Sequence, residues 1–183
     1  RLVLYRAHGI TRNPAFMKRE SEGPWYYEQV DLGMNYRMTD IQAALIISQL
    51  DKLSLFQKRR KEIVEKYNEA FSKIPEITVQ EEIPESDTTR HLYILRIKPE
   101  MLTIDRKQFF AAMAAENICC NVHYIPVYRH PYYEEMGYEK GLCPKAEKLY
   151  EEIMSLPLYY SLTDEDVDDV IHAVTKIVEN YRK

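Results

Sequence analysis

Glycine and cysteine are both scarce in this chain, with five glycines and three cysteines in 183 residues. No glycine-rich turn follows an apolar, β-prone run, so neither a P-loop nor a dinucleotide-binding fingerprint is present, and little backbone is left to cradle a phosphate. Cys119 and Cys120 are adjacent while Cys143 stands apart. They form neither an even-numbered disulfide framework nor a CxxC metal knuckle, and they read as reduced thiols. The five histidines, His8, His91, His123, His130 and His172, contain no HxxxH pair, so no metal site is expected. No stretch approaches the roughly 18 apolar residues a membrane-spanning helix needs, and no basic-then-apolar leader opens the chain. A cytoplasmic protein with no membrane partner is therefore expected. Positive charge is not in excess either: 25 basic against 29 acidic side chains leave a net −4, which gives no broad attraction for nucleic acid. Internal repeats and low-complexity stretches are absent as well.

What is present is enough apolar material, 45% of the residues, to bury one substantial core. The opening residues Arg1 to Leu4 carry no initiator methionine and no capping signal, the pattern of a chain that begins partway through an element. Residues 11 to 34 contain Pro14, Gly23, Pro24 and Gly33 and read as an irregular loop. Thr39, with Gln42 three positions later, has the spacing of a capping box at a helix start. Apolar residues at helical spacing then continue from Ile41 to Phe71, ahead of Pro75, with Lys58, Arg59, Arg60 and Lys61 expected to face away from the core. The pattern predicts a helix over 39–74, about 50 Å long if unbroken, with a bend most plausible between Leu50 and Leu55. So long a helix should pack partly against something outside one small core. Beyond it, His91 to Ile97 predicts a strand. Asp105 and Gln108 open a second helix, and Ile118 to Tyr124 predicts another strand. A helix over 145–153 and a possible edge strand at Leu156 to Leu158 follow. Thr163 and the acidic Asp164, Glu165 and Asp166 start a closing helix with a continuous apolar stripe. The fold class is α+β: a long helix leading into a small, mostly antiparallel sheet with helices packed on it.

Four side chains are candidates for function. Asn35 offers a short amide before a helix start, suited to donating to a phosphate oxygen without adding charge; equally, it caps or turns the chain before Thr39. The planar fork of Arg37 suits a diphosphate or a carboxylate, or a salt bridge that anchors the loop. His123 and Tyr124 stand where a strand is expected to leave the core, so one faces a cleft unless both are packed core residues. The Tyr- and Pro-rich stretch from Tyr124 to Tyr138 either stacks on a ring and walls a pocket or forms packed loop ends.

The segment Gly33-Met34-Asn35-Tyr36-Arg37-Met38-Thr39-Asp40-Ile41-Gln42-Ala43-Ala44, with Ser48-Gln49-Leu50 and Lys52-Leu53, resembles the corresponding region of the DegT/DnrJ/EryC1/StrS aminotransferases. So do Arg6-Ala7-His8-Gly9, His91-Leu92-Tyr93, Val122 to Tyr128 and Pro131-Tyr132-Tyr133, in order along nearly the whole chain. The last stretch resembles the subgroup that aminates C4 of UDP-linked 4-keto-6-deoxy-N-acetylhexosamines. The resemblance implies the C-terminal part of a fold type I enzyme using pyridoxal phosphate. Residues 1–38 would be a remnant of the large domain with an active-site loop, 39–74 a connecting helix and 75–183 the small domain. It implies glutamate as amino donor, a UDP-linked keto sugar as acceptor and a homodimer. It makes Asn35 a contact to the cofactor phosphate of the partner subunit; Arg37, His123 and Tyr124 are substrate candidates on their own chemistry and position, and His8 and Gly9 match the family but are expected to serve backbone geometry. The family's Schiff-base lysine and its pyridine-pairing aspartate lie N-terminal to the His8-Gly9 region. No catalytic residue is therefore expected here, and the piece should neither hold the cofactor nor turn over alone. Two other functions compete with this reading: a non-catalytic dimerisation or interaction module, and a small sugar-nucleotide-binding protein.

Overall fold

Backbone pairing, with almost no hydrophobic core, organises Arg1–Leu53, the first of two units into which the chain divides; the second is Ser54–Lys183. The computed structural model describes residues 1–183. In the first unit a short helix α1 (Leu2–Tyr5) precedes β1 (Ile10–Thr11), a 3₁₀ turn at Pro14–Phe16, β2 (Glu28–Gln29) and helix α2 (Asp40–Leu50). The strands pair antiparallel, Ile10 opposite Gln29 and Thr11 opposite Glu28. Between them the irregular loop is gathered by one carboxylate. Glu28 accepts from the backbone N–H of Lys18 at 2.6 Å and of Arg19 at 2.9 Å, and from the Tyr26 hydroxyl at 3.1 Å. Those donors, the Lys18 amide foremost, hold its carboxyl below the usual range.

Thr39 closes the capping box its spacing predicts. Its hydroxyl accepts from the Gln42 N–H, and the Gln42 side chain accepts from the Thr39 N–H at 3.0 Å. No residue of α2 is buried. The helical path does not run unbroken to Phe71: α2 ends at Leu50 and α3 (Leu53–Phe71) begins two residues after Asp51. At the break the Lys52 N–H turns to the Gln49 carbonyl at 3.1 Å, an i→i+3 tightening of the kind that ends α-helices. The break falls inside the stretch where a bend was expected.

The second unit adds β3 (Ile77–Thr78), β4 (Tyr93–Ile97), α4 (Arg106–Ala115), α5 (Pro131–Glu134), α6 (Pro144–Glu152), β5 (Ile153–Leu156) and α7 (Asp164–Tyr181). The sheet order is β3-β4-β5 and both pairings are antiparallel, with Ile97 opposite Ile77 and Tyr93 opposite Leu156. Alternation along β4 sends Tyr93, Leu95 and Ile97 into the core and leaves Ile94 and Arg96 on the other face. On the core face lie Ile63, Tyr67 and Phe71 of α3, Phe109 and Met113 of α4, and Val167, Val170, Val174 and Ile177 of α7. The Thr163 cap and the acidic first turn of α7 are as the sequence predicts. The basic run of α3, expected simply to face away from the core, is partly buried. Arg60 Nη1 donates to the carbonyls of Arg90, His91 and Leu158 at 3.0–3.1 Å. Arg59 bonds the Leu162 carbonyl and Asp164.

The strand predicted over 118–124 is not formed. The Ile118 N–H remains tied to the Met113 carbonyl at 2.9 Å as α4 closes through Asn117, whose φ is 61°. Asn121 alone bridges to Ser155, and its side chain accepts from the Val122 N–H at 2.7 Å, drawing the next amide out of any ladder. The edge strand anticipated at Leu156 to Leu158 lies earlier, at Ile153–Leu156, and follows α6 without a loop. β3 is only two residues long, too short to carry a periodic signal.

Two stability outcomes follow from this packing. Phe109→Ala, at a side chain with no exposure, is expected to destabilise the second unit by about 3–5 kcal/mol in urea unfolding. Glu76, 2% exposed, pairs with Arg182 beyond the end of α7, and the guanidinium hydrogen bond holds its carboxyl below the usual range. A lowered folded-state pKa gives stability that is complete above the ordinary carboxylate range and is lost as pH falls through the lowered value. Unfolding measured across acidic pH should show that step in the parent chain and lack it in Glu76→Gln.

Candidate functional site

The segment that carries Asn35 and Arg37 is fixed by its neighbours' backbone. Met34 donates to the Tyr5 carbonyl at 2.7 Å, Tyr36 to the Arg6 carbonyl at 2.9 Å and His8 to the Met34 carbonyl at 3.0 Å. Asn35 itself bridges antiparallel to Ala7. This crossing requires glycine. Gly9 has φ 71° and lies so close to the Asp31 carbonyl that a Cβ would overlap it, while Gly33 lies against the backbone of His8 and Gly9. His8 shares the left-handed conformation at φ 61°, and its carbonyl receives the Gln29 amide at 3.0 Å. His8 and Gly9 therefore act here through backbone geometry.

Held this way, Asn35 and Arg37 project exposed side chains four and two positions before the Thr39 cap. Thr39 is the cap of α2, so Asn35 does not serve that purpose. No ion pair within the chain engages Arg37. An exposed amide and an exposed guanidinium, two residues apart on a pinned backbone, present donors suited to phosphate oxygens.

In the second unit His123 is half-buried, and its Nδ1 lies 2.7 Å from the Ser155 hydroxyl on β5. Ser155 is fixed by its reciprocal backbone pair with Asn121, at 2.7 and 3.1 Å. The imidazole borders a cleft of about 580 Å³ that also includes Thr78, Gln80, Ile94, Arg96 and Ile153. Arg96 points to this side because it alternates with the core residues of β4, and its Nε donates to the buried Glu152 carboxylate at 2.7 Å. Sequence reasoning missed Arg96 and Ser155. The signal for Arg96 was its odd register in an apolar strand; Ser155 carried none. Tyr124 is 71% exposed and meets the His123 ring edge-on, 4.6 Å between centroids, so it is no packed core tyrosine. A second hollow of about 890 Å³ between the end of α4 and α7, bordered by Glu116, Cys119, His172 and Lys176, includes none of the four candidates.

Burial pushes the Cys120 thiol up to about 12, so it stays protonated. None of the lysines is buried. No group of three or more His, Cys, Asp or Glu side chains is placed to hold a metal ion. No helix is long and apolar enough to cross a membrane.

A capped helix led in by a pinned Asn-Tyr-Arg segment lies in the first unit, and a three-stranded antiparallel sheet backed by helices makes up the second, an α+β arrangement shared with aminotransferases of known structure. The chain belongs to the DegT/DnrJ/EryC1/StrS aminotransferase family, whose pattern matches residues 1–175. It is 40% identical over 174 residues to the spore coat polysaccharide biosynthesis protein SpsC of Bacillus subtilis, covering 94% of this chain and 44% of SpsC. With the UDP-4-amino-4,6-dideoxy-N-acetyl-beta-L-altrosamine transaminase of Helicobacter pylori it shares 28% identity over 100% of this chain and 46% of that enzyme. Its fold superimposes on the sugar aminotransferase Spr1654 of Streptococcus pneumoniae in the PMP form with a TM-score of 0.84 at 31% identity, over 97% of this chain and 44% of that one. The chain thus spans less than half the length of each.

The Gly9 crossing gives a direct test. Gly9→Ala places a methyl on the Asp31 carbonyl in a left-handed backbone, a strain of roughly 1–3 kcal/mol. The amides of Met34 and Tyr36 should then exchange with deuterium faster, while those of β4 keep their protection.

Proposed function

We propose that this chain is the C-terminal portion of an enzyme that moves an amino group from glutamate to the C4 carbonyl of a UDP-linked 4-keto-6-deoxy sugar, releasing the keto acid of glutamate. The observation that carries the reading is the pinned Asn35-Tyr36-Arg37 segment. It presents two exposed donors just before a capped helix, in a chain whose family match runs through it. Pyridoxal phosphate, when bound, supplies the carbonyl that takes up and hands on the amino group. The residues of this chain fit that cofactor at its phosphate only. Asn35 would donate its amide there across a dimer interface, and no buried lysine is present to engage the aldehyde. Arg37 would hold a diphosphate or carboxylate oxygen through its fork. His123, oriented by Ser155, and the exposed Tyr124 would line the sugar side. Tyr132, Tyr133 and Tyr138 would form an aromatic wall for the sugar nucleotide.

The amine that bonds the cofactor would come from a large domain N-terminal to these residues, so the 183-residue piece alone would be inactive. Homodimerisation accords with α2, whose Ile41, Leu45, Ile47 and Leu50 are each at least 60% exposed, an apolar surface that calls for a cover.

Two measurements check this. The 183-residue chain, mixed with pyridoxal phosphate, glutamate and a UDP-4-keto-6-deoxy sugar, is expected to show no lysine-linked visible absorbance and no amino sugar; turnover by the pure piece would overturn the proposal. In the complete enzyme, Asn35→Ala is expected to weaken cofactor retention by roughly ten- to a hundredfold, the size of one hydrogen bond to a charged group. Unchanged retention in a dialysis assay would remove Asn35 from the phosphate.

A further inference from the structure

Glu147 stands in the first turn of α6, where a negative charge is favoured, yet the residue is only 8% exposed. Its Oε1 accepts the Tyr128 hydroxyl proton at 2.6 Å and the Gly141 N–H at 2.6 Å. The Tyr128 oxygen in turn accepts from the Cys143 N–H at 3.3 Å. Gly141 reaches this position with φ 97°, a conformation that favours glycine. One carboxylate thereby ties residue 128, at the start of the aromatic loop, to residues 141 and 143 at its end. A second tie lies one turn along α6, where the Tyr150 ring receives the guanidinium of Arg129 at 5.5 Å and that of Arg106 at 4.8 Å.

Between these ties the loop holds Tyr132, Tyr133 and Tyr138 in edge-to-face contact, with centroids 5.4 and 6.2 Å apart. All three rings remain 36% or more exposed. An aromatic cluster this open has little core burial to fix it, so its shape depends on where the two ends of the loop are held.

We propose that Glu147 is a positioning residue: by joining Tyr128 to Gly141 it sets the conformation of the 128–143 loop, and so the placement of the Tyr132-Tyr133-Tyr138 wall against the sugar nucleotide. What the wall faces rests on the aminotransferase reading; the latch itself does not. Tyr128, Arg129 and Lys140 are the titratable groups that face the carboxylate. The Tyr128 hydrogen bond, first among these influences, holds the Glu147 carboxyl below the usual range. The latch is therefore intact above the ordinary carboxylate range and released as pH falls through the lowered value.

The test has two arms. In the 183-residue chain, Glu147→Ala and Tyr128→Phe are each expected to speed deuterium exchange of the amides over 128–143 by about ten- to a hundredfold, while β4 and α7 keep parent protection. Glu147→Gln, which keeps an acceptor oxygen, should give a smaller change. Tyr128→Phe retains the ring, so it decides the matter if Glu147→Ala fails to fold. Parent-like exchange over 128–143 in Tyr128→Phe, or protection lost equally in β4, would overturn the latch. In the complete enzyme, Tyr128→Phe should raise KM for the UDP-keto sugar several-fold and leave kcat within about twofold, the pattern of altered substrate binding. A fall in kcat with KM unchanged would overturn the positioning role. If the parent enzyme aminates no sugar nucleotide, the aminotransferase reading falls while the exchange arm still judges the latch.

Discussion

Burial of one face of a small antiparallel sheet is the constraint on which residues 54–183 depend. Tyr93, Leu95 and Ile97 of β4 carry that face, and α3, α4 and α7 cover it. Strand alternation then leaves Ile94 and Arg96 on the opposite face. The cleft beside His123 is a direct result: the side chains that border it are those the core did not take. The same division fixes Arg96 against Glu152 and His123 against Ser155, so the polar groups of the second unit arrive already paired. Buried polar groups without partners are costly, and no buried side-chain nitrogen or oxygen in this chain lacks one.

Residues 1–53 obey a different rule. Only Gly9 and Thr11 are buried there, and order comes from backbone hydrogen bonds across a crossing that two glycines permit. Such a unit specifies the path of its chain closely while leaving side chains free, which suits presenting Asn35 and Arg37 to something other than their own neighbours. Apolar residues of α2 point outward in the same unit, and the relatives this chain matches are about twice its length.

Much of this was legible in the residues themselves. The caps at Thr39, Asp105 and Thr163 are local devices within four residues, and each forms as its spacing indicates. The stripe of α7 and the alternation of β4 were readable because both are long enough to show a period. Failures came where tertiary context decides. Ile118 to Tyr124 has strand composition, but the closing turn of α4 and the Asn121 side chain take its amides. The basic residues of α3 look like a solvated face in sequence. Only the arrival of distant carbonyls makes Arg59 and Arg60 internal donors. Of the site, side-chain chemistry and position made Asn35, Arg37, His123 and Tyr124 candidates, and the family resemblance decided the role of Asn35. No local pattern announced Ser155 or Glu147, and only its register in an apolar strand marked Arg96; their partners lie 32, 19 and 56 residues away.

Arg60 has a consequence for assembly. Its Nη1 reaches carbonyls 30, 31 and 98 residues further along the chain, so its hydration shell can be surrendered only after two remote stretches have converged. The helix that bears it has many local contacts and can form early, but this charge must stay wet until the chain from residue 90 to residue 158 has returned to it. Exchanging guanidinium for ammonium would keep the charge but carry it on a shorter side chain, drawing the donor back from the two stretches of backbone it fastens at the step where long-range closure occurs.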